Sequence, residues 1–250
     1  MLPFLNKAIA PLGFKLAKDR SDIPADIARD ETFLALYDRC KPYTMTSVER
    51  MYSLYLSLCH LIDSGLEGDF VECGVWKGGS SMMIASVLKH RDVADRSIYL
   101  YDTFEGMSEP TEVDKAVGGQ AASALLEAQE KEDTTSVWCY SSLDEVKSNM
   151  AQTGYPADKL VFVKGKIEDT LASNLPGRLA LLRLDTDWYE STKIELQLLY
   201  PLLNPGGVLI IDDFGHWEGA KKAVLEYFGQ MEKPPFLHRI DYTGRLLVKS

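Results

Sequence analysis

Residues 179–213 read LALLRLDTDWYESTKIELQLLYPLLNPGGVLIIDD. Two apolar runs, LALLRL and VLII, each end in a pair of aspartates: Asp185 and Asp187 after the first, Asp212 and Asp213 after the second. Short runs dominated by Leu and β-branched residues are how strands buried in a parallel sheet read. Between them, YESTKIELQLLYPLL reads as a helix and NPGG as a turn. The stretch is therefore a strand–helix–strand unit, a right-handed crossover between parallel strands. Neighbouring parallel strands end at the same edge, so the two acidic pairs can meet there. Four carboxylates within a few ångströms cannot all stay ionised without a counter-charge, and a hard divalent cation bound through oxygen ligands supplies one. The pattern predicts a metal-dependent enzyme. Capping is the competing reading. Asp185 and Asp213 stand where an aspartate can cap the helices expected from about Tyr189 and Trp217. Capping, however, does not call for paired acids on two adjacent strands.

The alternation extends in both directions. DFVECG (69–74) is a short strand running into a Gly-rich turn, WKGGSS, and then a helix over about 79–90. SIYLYDTF (97–104) is the second strand and KLVFVKG (159–165) the third, preceded by a helix at about 142–152. Residues 179–185 and 208–213 are the fourth and fifth strands, and a helix follows at about 217–229. FLHRID and RLLVKS, joined by YTG, read as a terminal hairpin. Residues 31–40 and 45–64 read as helices, the second capped by Thr46 or Ser47 with Glu49 in its first turn. The polar segment 105–140, with a short Ala-rich helix, has the length of a lid or binding loop. The prediction is an α/β fold with a mostly parallel seven-stranded sheet, a C-terminal antiparallel hairpin and N-terminal helices. A core over 67–250, carrying the lid insertion 105–140, follows an N-terminal helical segment over 1–66. Ligands of such sheets bind outside the carboxyl ends of the strands, where all these aspartates lie.

The bulk properties agree. A chain of 250 residues that is 46% hydrophobic and 26% charged suits one large soluble α/β domain. A net charge of −10 with no basic run argues against nucleic acid as a partner. The N-terminal MLPFLNKAIAPLGFKLAKDR is broken by Asn6, Lys7, Pro11 and Lys15, so it cannot span a bilayer. It reads as an amphipathic lead-in, a candidate oligomer contact or lid. No membrane association is expected. Cys40, Cys59, Cys73 and Cys139 lack CxxC spacing, which argues against a zinc site or a disulfide framework and fits a reducing, cytoplasmic compartment.

The first strand and turn, V-E-C-G-V-W-K-G-G-S, form the cofactor end. Its glycines let backbone approach a ligand closely, and the following helix offers free N–H groups. The spacing is not G-x-G-x-x-G, so the dinucleotide fingerprint is not met. A carboxylate at Glu72 would repel a pyrophosphate and suits the cationic amino-acid part of S-adenosylmethionine. Asp102, closing the second strand, is placed to accept hydrogen bonds from ribose hydroxyls.

YTMTSVERMYSLY (43–55), GDFVECGVWKGGSSMM (68–83), YDTFEGM (101–107), VFVKGKIEDTL (161–171), LRLDTDWYEST (182–192), NPGGVLIIDDFGHWEGAKKAV (204–224) and IDYTGR (240–245) together resemble the macrocin O-methyltransferase (TylF-like) family. That family methylates sugar hydroxyls in antibiotic biosynthesis, and the resemblance covers roughly residues 40–250. It implies a class I methyltransferase (Rossmann-like) fold, S-adenosylmethionine and Mg²⁺. By the resemblance, Asp185, Asp212 and Asp213 are metal ligands and Asp187 is the general base. Glu72, Gly74, Ser80 and Asp102 fall in cofactor-binding motifs, with Asp185 beside them, and the segment Thr44, Met45, Thr46, Ser47 closes over the cofactor. Lys166 and Ile167 depart from the aromatic pair that relatives often carry after the third-motif glycine.

The expected reaction is methyl transfer to a hydroxyl of a sugar or polyol-like small molecule. His216, after the second acidic pair, is a candidate for binding the acceptor or assisting proton transfer, and a packed or solvated His is the competing reading. Trp188, Tyr189 and Trp217 are candidate pocket walls, or core. A metal-dependent phosphohydrolase would use the same carboxylates but needs a cation for phosphate, and only Arg183 and His216 are near. A non-catalytic cofactor-binding subunit would need a broken site, and this acidic set is complete. An NAD-dependent oxidoreductase has the wrong glycine spacing.

Overall fold

Seven strands form one sheet: β1 (Asp69–Cys73), β2 (Ile98–Asp102), β3 (Leu160–Lys164), β4 (Leu179–Leu184), β5 (Leu203–Ile211), β6 (His238–Arg239) and β7 (Arg245–Val248), in the order β3-β2-β1-β4-β5-β7-β6. The first five run parallel, and β7 pairs antiparallel with both β5 and β6. The chain thus starts at the centre of the sheet and reverses direction once, between β1 and β4. That reversal opens the crevice in which open α/β sheets bind ligands. This computed structural model describes residues 22–133 and 136–250; the lead-in segment 1–20 lies outside the described residues.

Helices cover both faces of the sheet. On one side lie α1 (Glu31–Cys40), α2 (Val48–Asp63), α3 (Gly79–His90) and α5 (Leu143–Ala151), packed with Phe70, Ile98, Leu100, Val208 and Ile210. On the other lie α7 (Tyr189–Leu198) and α8 (Glu218–Gly229), packed with Val71, Cys73, Tyr101, Leu182, Leu209 and Ile211. Successive strand residues point to opposite faces, which is why Phe70 and Val71, or Ile210 and Ile211, belong to different cores. The short α4 (Ala122–Glu127) is the Ala-rich helix expected in the lid segment, and α6 (Ile167–Thr170) follows β3.

Local chemistry explains the helix starts. Asp30 caps α1, accepting from Phe33 N at 2.8 Å, and Ser47, not Thr46, caps α2, accepting from Arg50 N at 3.2 Å. The capping reading of the strand-end aspartates fails. α7 and α8 begin after Trp188 and Trp217 with no side-chain cap of their own. The free N–H of Tyr189 is met instead by Asp114 Oδ1, at 2.8 Å, reaching in from the lid segment.

One expected turn is strand. β5 begins at Leu203, so NPGG lies within it rather than before it. Gly206, with φ 84°, takes a backbone conformation that an L side chain resists. Its N–H donates to Lys249 O at 2.7 Å, extending the contact with the C-terminal strand. No helix among the described residues is long and apolar enough to cross a membrane.

Candidate active site

Strand register builds the site. Glu72 on β1 pairs directly with Arg183 on β4, and Arg183 with Ile210 on β5, so residues two further on, Asp185 and Asp212, stand beside each other past the strand ends. By strand alternation Glu72, Arg183, Asp185 and Asp212 face the same side. Arg183, with its side chain only 2% exposed, lies among them: Nη1 is 2.6 Å from Glu72 Oε1 and 2.7 Å from Asp185 Oδ2, and Nη2 is 2.8 Å from Asp212 Oδ1. Nη2 also donates to Thr46 Oγ1 at 3.1 Å, tying the segment before α2 to the sheet. A second cation, Arg50 from α2, pairs with Asp212 Oδ2 through Nη1 and, through Nε, with Asp241 Oδ2 at 3.0 Å. Asp241 in turn accepts from Ser47 Oγ at 2.8 Å. Burial and mutual attraction act in opposite directions on Arg183, and the surrounding carboxylates hold it firmly charged.

The expected counter-charge is therefore partly internal, supplied by two arginines. It does not neutralise the whole cluster. Asp213 and Asp187 face each other beyond the reach of Arg183, and Asp187 N donates to Asp213 Oδ2 at 3.2 Å. Burial, then the charge of Asp185, pushes the Asp187 carboxyl up to about 7. Burial, then Asp187 and Asp212, drives Asp213 well above the usual carboxylate range, and burial raises Asp185 despite Arg183. Asp187 sits in left-handed backbone, φ 66°, a conformation Asp tolerates better than most residues. Asp185, Asp212 and Asp213 each offer a carboxylate oxygen, all within 4.8 Å of one another. Asp212 Oδ1 is within ion-pair distance of Arg183 but receives no aligned hydrogen bond. An all-oxygen set with negative charge left over fits a hard divalent cation such as Mg²⁺.

These acids form one end of a cavity of about 410 Å³ at the carboxyl edge of the sheet. Of the residues expected at the cofactor, Thr44, Met45, Gly74, Ser80, Asp102 and Asp185 line it. Gly74, at φ 81°, passes so close to β4 that a Cβ would lie 1.9 Å from Asp185 O. Asp102 accepts from Val75 N at 2.7 Å, Trp76 N at 3.1 Å and Phe104 N at 2.6 Å, fixing the turn after β1. Thr103 Oγ1 also lies 3.4 Å from Asp102 Oδ1, but its single hydrogen has the shorter bond to Gly106 O at 2.6 Å; a carboxylate has about four acceptor sites, so one is left for a ribose hydroxyl. These residues fit a nucleoside cofactor.

Two expected cofactor residues stand elsewhere. Glu72 is 1% exposed and absent from the cavity wall, because Arg183 and the Ser81 hydroxyl occupy its carboxylate. Ser47 is spent on capping α2 and on Asp241.

The cavity is also lined by Met107, Ser108, Cys139, His216, Trp217 and Tyr242, of which His216 and Trp217 adjoin the acids, their backbone N–H groups donating to Asp213 O at 3.0 Å. His216 Nδ1 lies 3.2 Å from the Tyr242 hydroxyl, and burial, with Arg50 nearby, lowers its pKa, so the ring is neutral at pH 7. Trp217 and Trp188 meet edge to face at 4.8 Å, and Trp188 is buried with its Nε1 donating to Ser108 O at 3.0 Å. Tyr189 points away, donating to Glu226 at 2.7 Å, and is no pocket wall.

Arg50, Asp241 and Asp114 carried no local sequence signal, since each acts on a residue far along the chain. Arg183 did carry one: a charged residue inside an apolar strand is almost never buried unless paired.

The family model for macrocin O-methyltransferase (TylF) matches residues 32–249. The chain is 36% identical over 203 residues to the 8-demethyl-8-(2,3-dimethoxy-alpha-L-rhamnosyl)-tetracenomycin-C 4'-O-methyltransferase of Streptomyces olivaceus, covering 81% of this chain and 74% of that one. It is 31% identical over 202 residues to the demethyldecarbamoylnovobiocin O-methyltransferase of Streptomyces niveus, with the same coverage of 81% and 74%. Among solved structures, the O-methyltransferase NovP superposes with a TM-score of 0.73 at 30% identity, covering 83% of this chain and 82% of that one. The calicheamicin methyltransferase CalS11 superposes at 0.63 with 19% identity, covering 92% and 87%, and shares the fold.

Proposed function

The chain belongs to the macrocin O-methyltransferase (TylF) family, and from that premise we propose that it moves the methyl group of S-adenosylmethionine to a sugar hydroxyl of a glycosylated small molecule, with Mg²⁺ held by Asp185, Asp212 and Asp213. The observation that carries this reading is the gathering of four aspartates in a cavity that Gly74 and Asp102 also line. The relatives point the same way, since the Streptomyces olivaceus enzyme is a 4'-O-methyltransferase of a rhamnosyl-bearing tetracenomycin.

A neutral alcohol is a poor nucleophile at pH 7, so a base and a charge stabiliser are required. Mg²⁺ bound by the three aspartates would lower the pKa of an acceptor hydroxyl and fix its orientation. Asp187 takes the hydroxyl proton as the oxygen–methyl bond forms and the methyl–sulfur bond breaks. Arg183 pairs with Asp185 and Asp212, and Arg50 with Asp212, which holds both carboxylates in place. Neutral His216, steadied by Tyr242, offers the acceptor a hydrogen-bonding group beside the acids. Asp102 and Gly74 receive the cofactor, and Thr44 and Met45 close over it. Alignment of oxygen, carbon and sulfur by these walls accounts for several kcal/mol of barrier.

Calorimetric titration of S-adenosylhomocysteine into the protein, with and without Mg²⁺, tests the cofactor. Micromolar binding is expected, and no binding in either condition overturns the reading.

A further inference from the structure

Glu195 lies on α7, 0% exposed and outside the cavity wall. A carboxyl group that deep needs a reason. Its Oε1 accepts from the Thr186 hydroxyl at 3.0 Å. Thr186 is the residue between Asp185 and Asp187, and its carbonyl accepts from Trp188 N at 2.7 Å. The rest of the turn hangs from few bonds: Asp185 N donates to Cys73 O at 2.8 Å and Asp187 N to Asp213 Oδ2 at 3.2 Å. Asp187 meanwhile holds a left-handed conformation, φ 66°, which persists only where neighbours over-determine it. Glu195 Oε2 has no hydrogen-bond partner among the described residues, with the Cys73 thiol beside it.

We infer that Glu195 is a positioning residue that, through the Thr186 hydroxyl, holds the turn presenting Asp185 and Asp187 to the reaction. It rests on the roles given above to those two aspartates. An ionised carboxylate would leave Oε2 charged and bare in an apolar core, so the group serves in its neutral form. Burial above all holds its proton well past the usual range, and Glu168, Asp213 and Asp185 add to this against the Thr186 bond. A neutral amide has the same shape and the same acceptor oxygen, so Gln replaces Glu here without loss of the prop.

The test compares Glu195→Gln, Glu195→Leu and Thr186→Val, each with Mg²⁺ and S-adenosylhomocysteine affinity measured alongside turnover. Glu195→Gln is expected to keep kcat within about threefold of the parent. Glu195→Leu and Thr186→Val are expected to lose at least about tenfold in kcat, with the cofactor KM unchanged. Amide hydrogen exchange over residues 184–189 gives a readout independent of catalysis: faster in Thr186→Val and Glu195→Leu, unchanged in Glu195→Gln. Thr186→Val removes one hydroxyl and keeps the shape, so it decides the matter even where Glu195→Leu fails to fold. Normal turnover and normal exchange in Thr186→Val overturn the proposal, as does a loss in Glu195→Gln equal to that in Glu195→Leu. Absence of methyl transfer in the parent protein would sink the functional reading instead, while the exchange comparison would still judge the prop.

Discussion

Glu72 and Arg183 form an ion pair sealed from solvent, 2.6 Å apart with side chains 1% and 2% exposed. The pair anchors the arginine that also meets Asp185 and Asp212, and Glu72 stands outside the cavity wall. Removing one partner of a buried pair strands the other charge and costs about 3–5 kcal/mol. Glu72→Leu should therefore lower unfolding stability by roughly that amount. In the milder Glu72→Gln, which stays folded, S-adenosylhomocysteine affinity should stay within a few fold of the parent, as read by calorimetry beside urea unfolding. A hundredfold loss of affinity in a stable Glu72→Gln protein would return Glu72 to the cofactor site.

Asp187→Asn removes the carboxylate proposed as the base while keeping a side chain of the same size. Its kcat should fall by about 10²–10⁴, with S-adenosylhomocysteine and Mg²⁺ binding preserved. Turnover in single-substrate assays and calorimetry on the same protein check both halves.

Asp213→Asn removes a carboxylate that neither arginine pairs with. Mg²⁺ affinity should drop by more than about tenfold, by the sensitivity of such sites to lost ligands and their supports, while the fold is kept because the Arg183 pairs are untouched. Chelation by EDTA should reproduce the loss of activity in the parent protein, and added Mg²⁺ should restore it.

Asp114 joins the segment 105–140, the proposed lid, to the core. Its Oδ1 accepts from Tyr189 N at 2.8 Å and its Oδ2 from Thr111 N at 2.7 Å. Asp114→Ala leaves α7 uncapped and frees the lid, so a stability loss of about 1–2 kcal/mol is expected, together with a raised acceptor KM. Limited proteolysis should cut the lid faster than in the parent.

Glu195 sets a pH dependence whose sign follows from its raised folded-state pKa. The folded chain keeps a proton that the unfolded chain releases once pH passes the ordinary value of 4.5. The stabilisation is whole below that value and is lost as pH rises towards the folded-state pKa. Between pH 5 and pH 7 the parent should therefore lose stability relative to Glu195→Gln, which does not titrate. Chemical denaturation of both proteins at the two pH values measures the difference.

The strand–helix alternation was legible because buried parallel strands are written in short apolar runs, and the sheet follows them closely: β1, β4 and β5 end just before Gly74, Asp185 and Asp212. The acidic cluster was legible for the same reason, since strand ends place their residues at one edge. What was not legible depends on contacts between distant segments. Arg50 meets Asp212 across 162 residues, and nothing local to α2 announces it. Glu72 looked like a cofactor ligand because its strand position was readable while its partner across the strand pair was not. NPGG looked like a turn because Pro and Gly are turn residues, yet its pairing with the C-terminal strand is a tertiary fact.

The most direct test of the account is transfer of a labelled methyl group from S-adenosylmethionine to a panel of glycosylated small molecules, run in Mg²⁺ and again in excess EDTA. The account predicts transfer to a sugar hydroxyl in Mg²⁺, its loss in EDTA and its return when Mg²⁺ is restored. Transfer at an undiminished rate in EDTA would contradict the metal role of Asp185, Asp212 and Asp213.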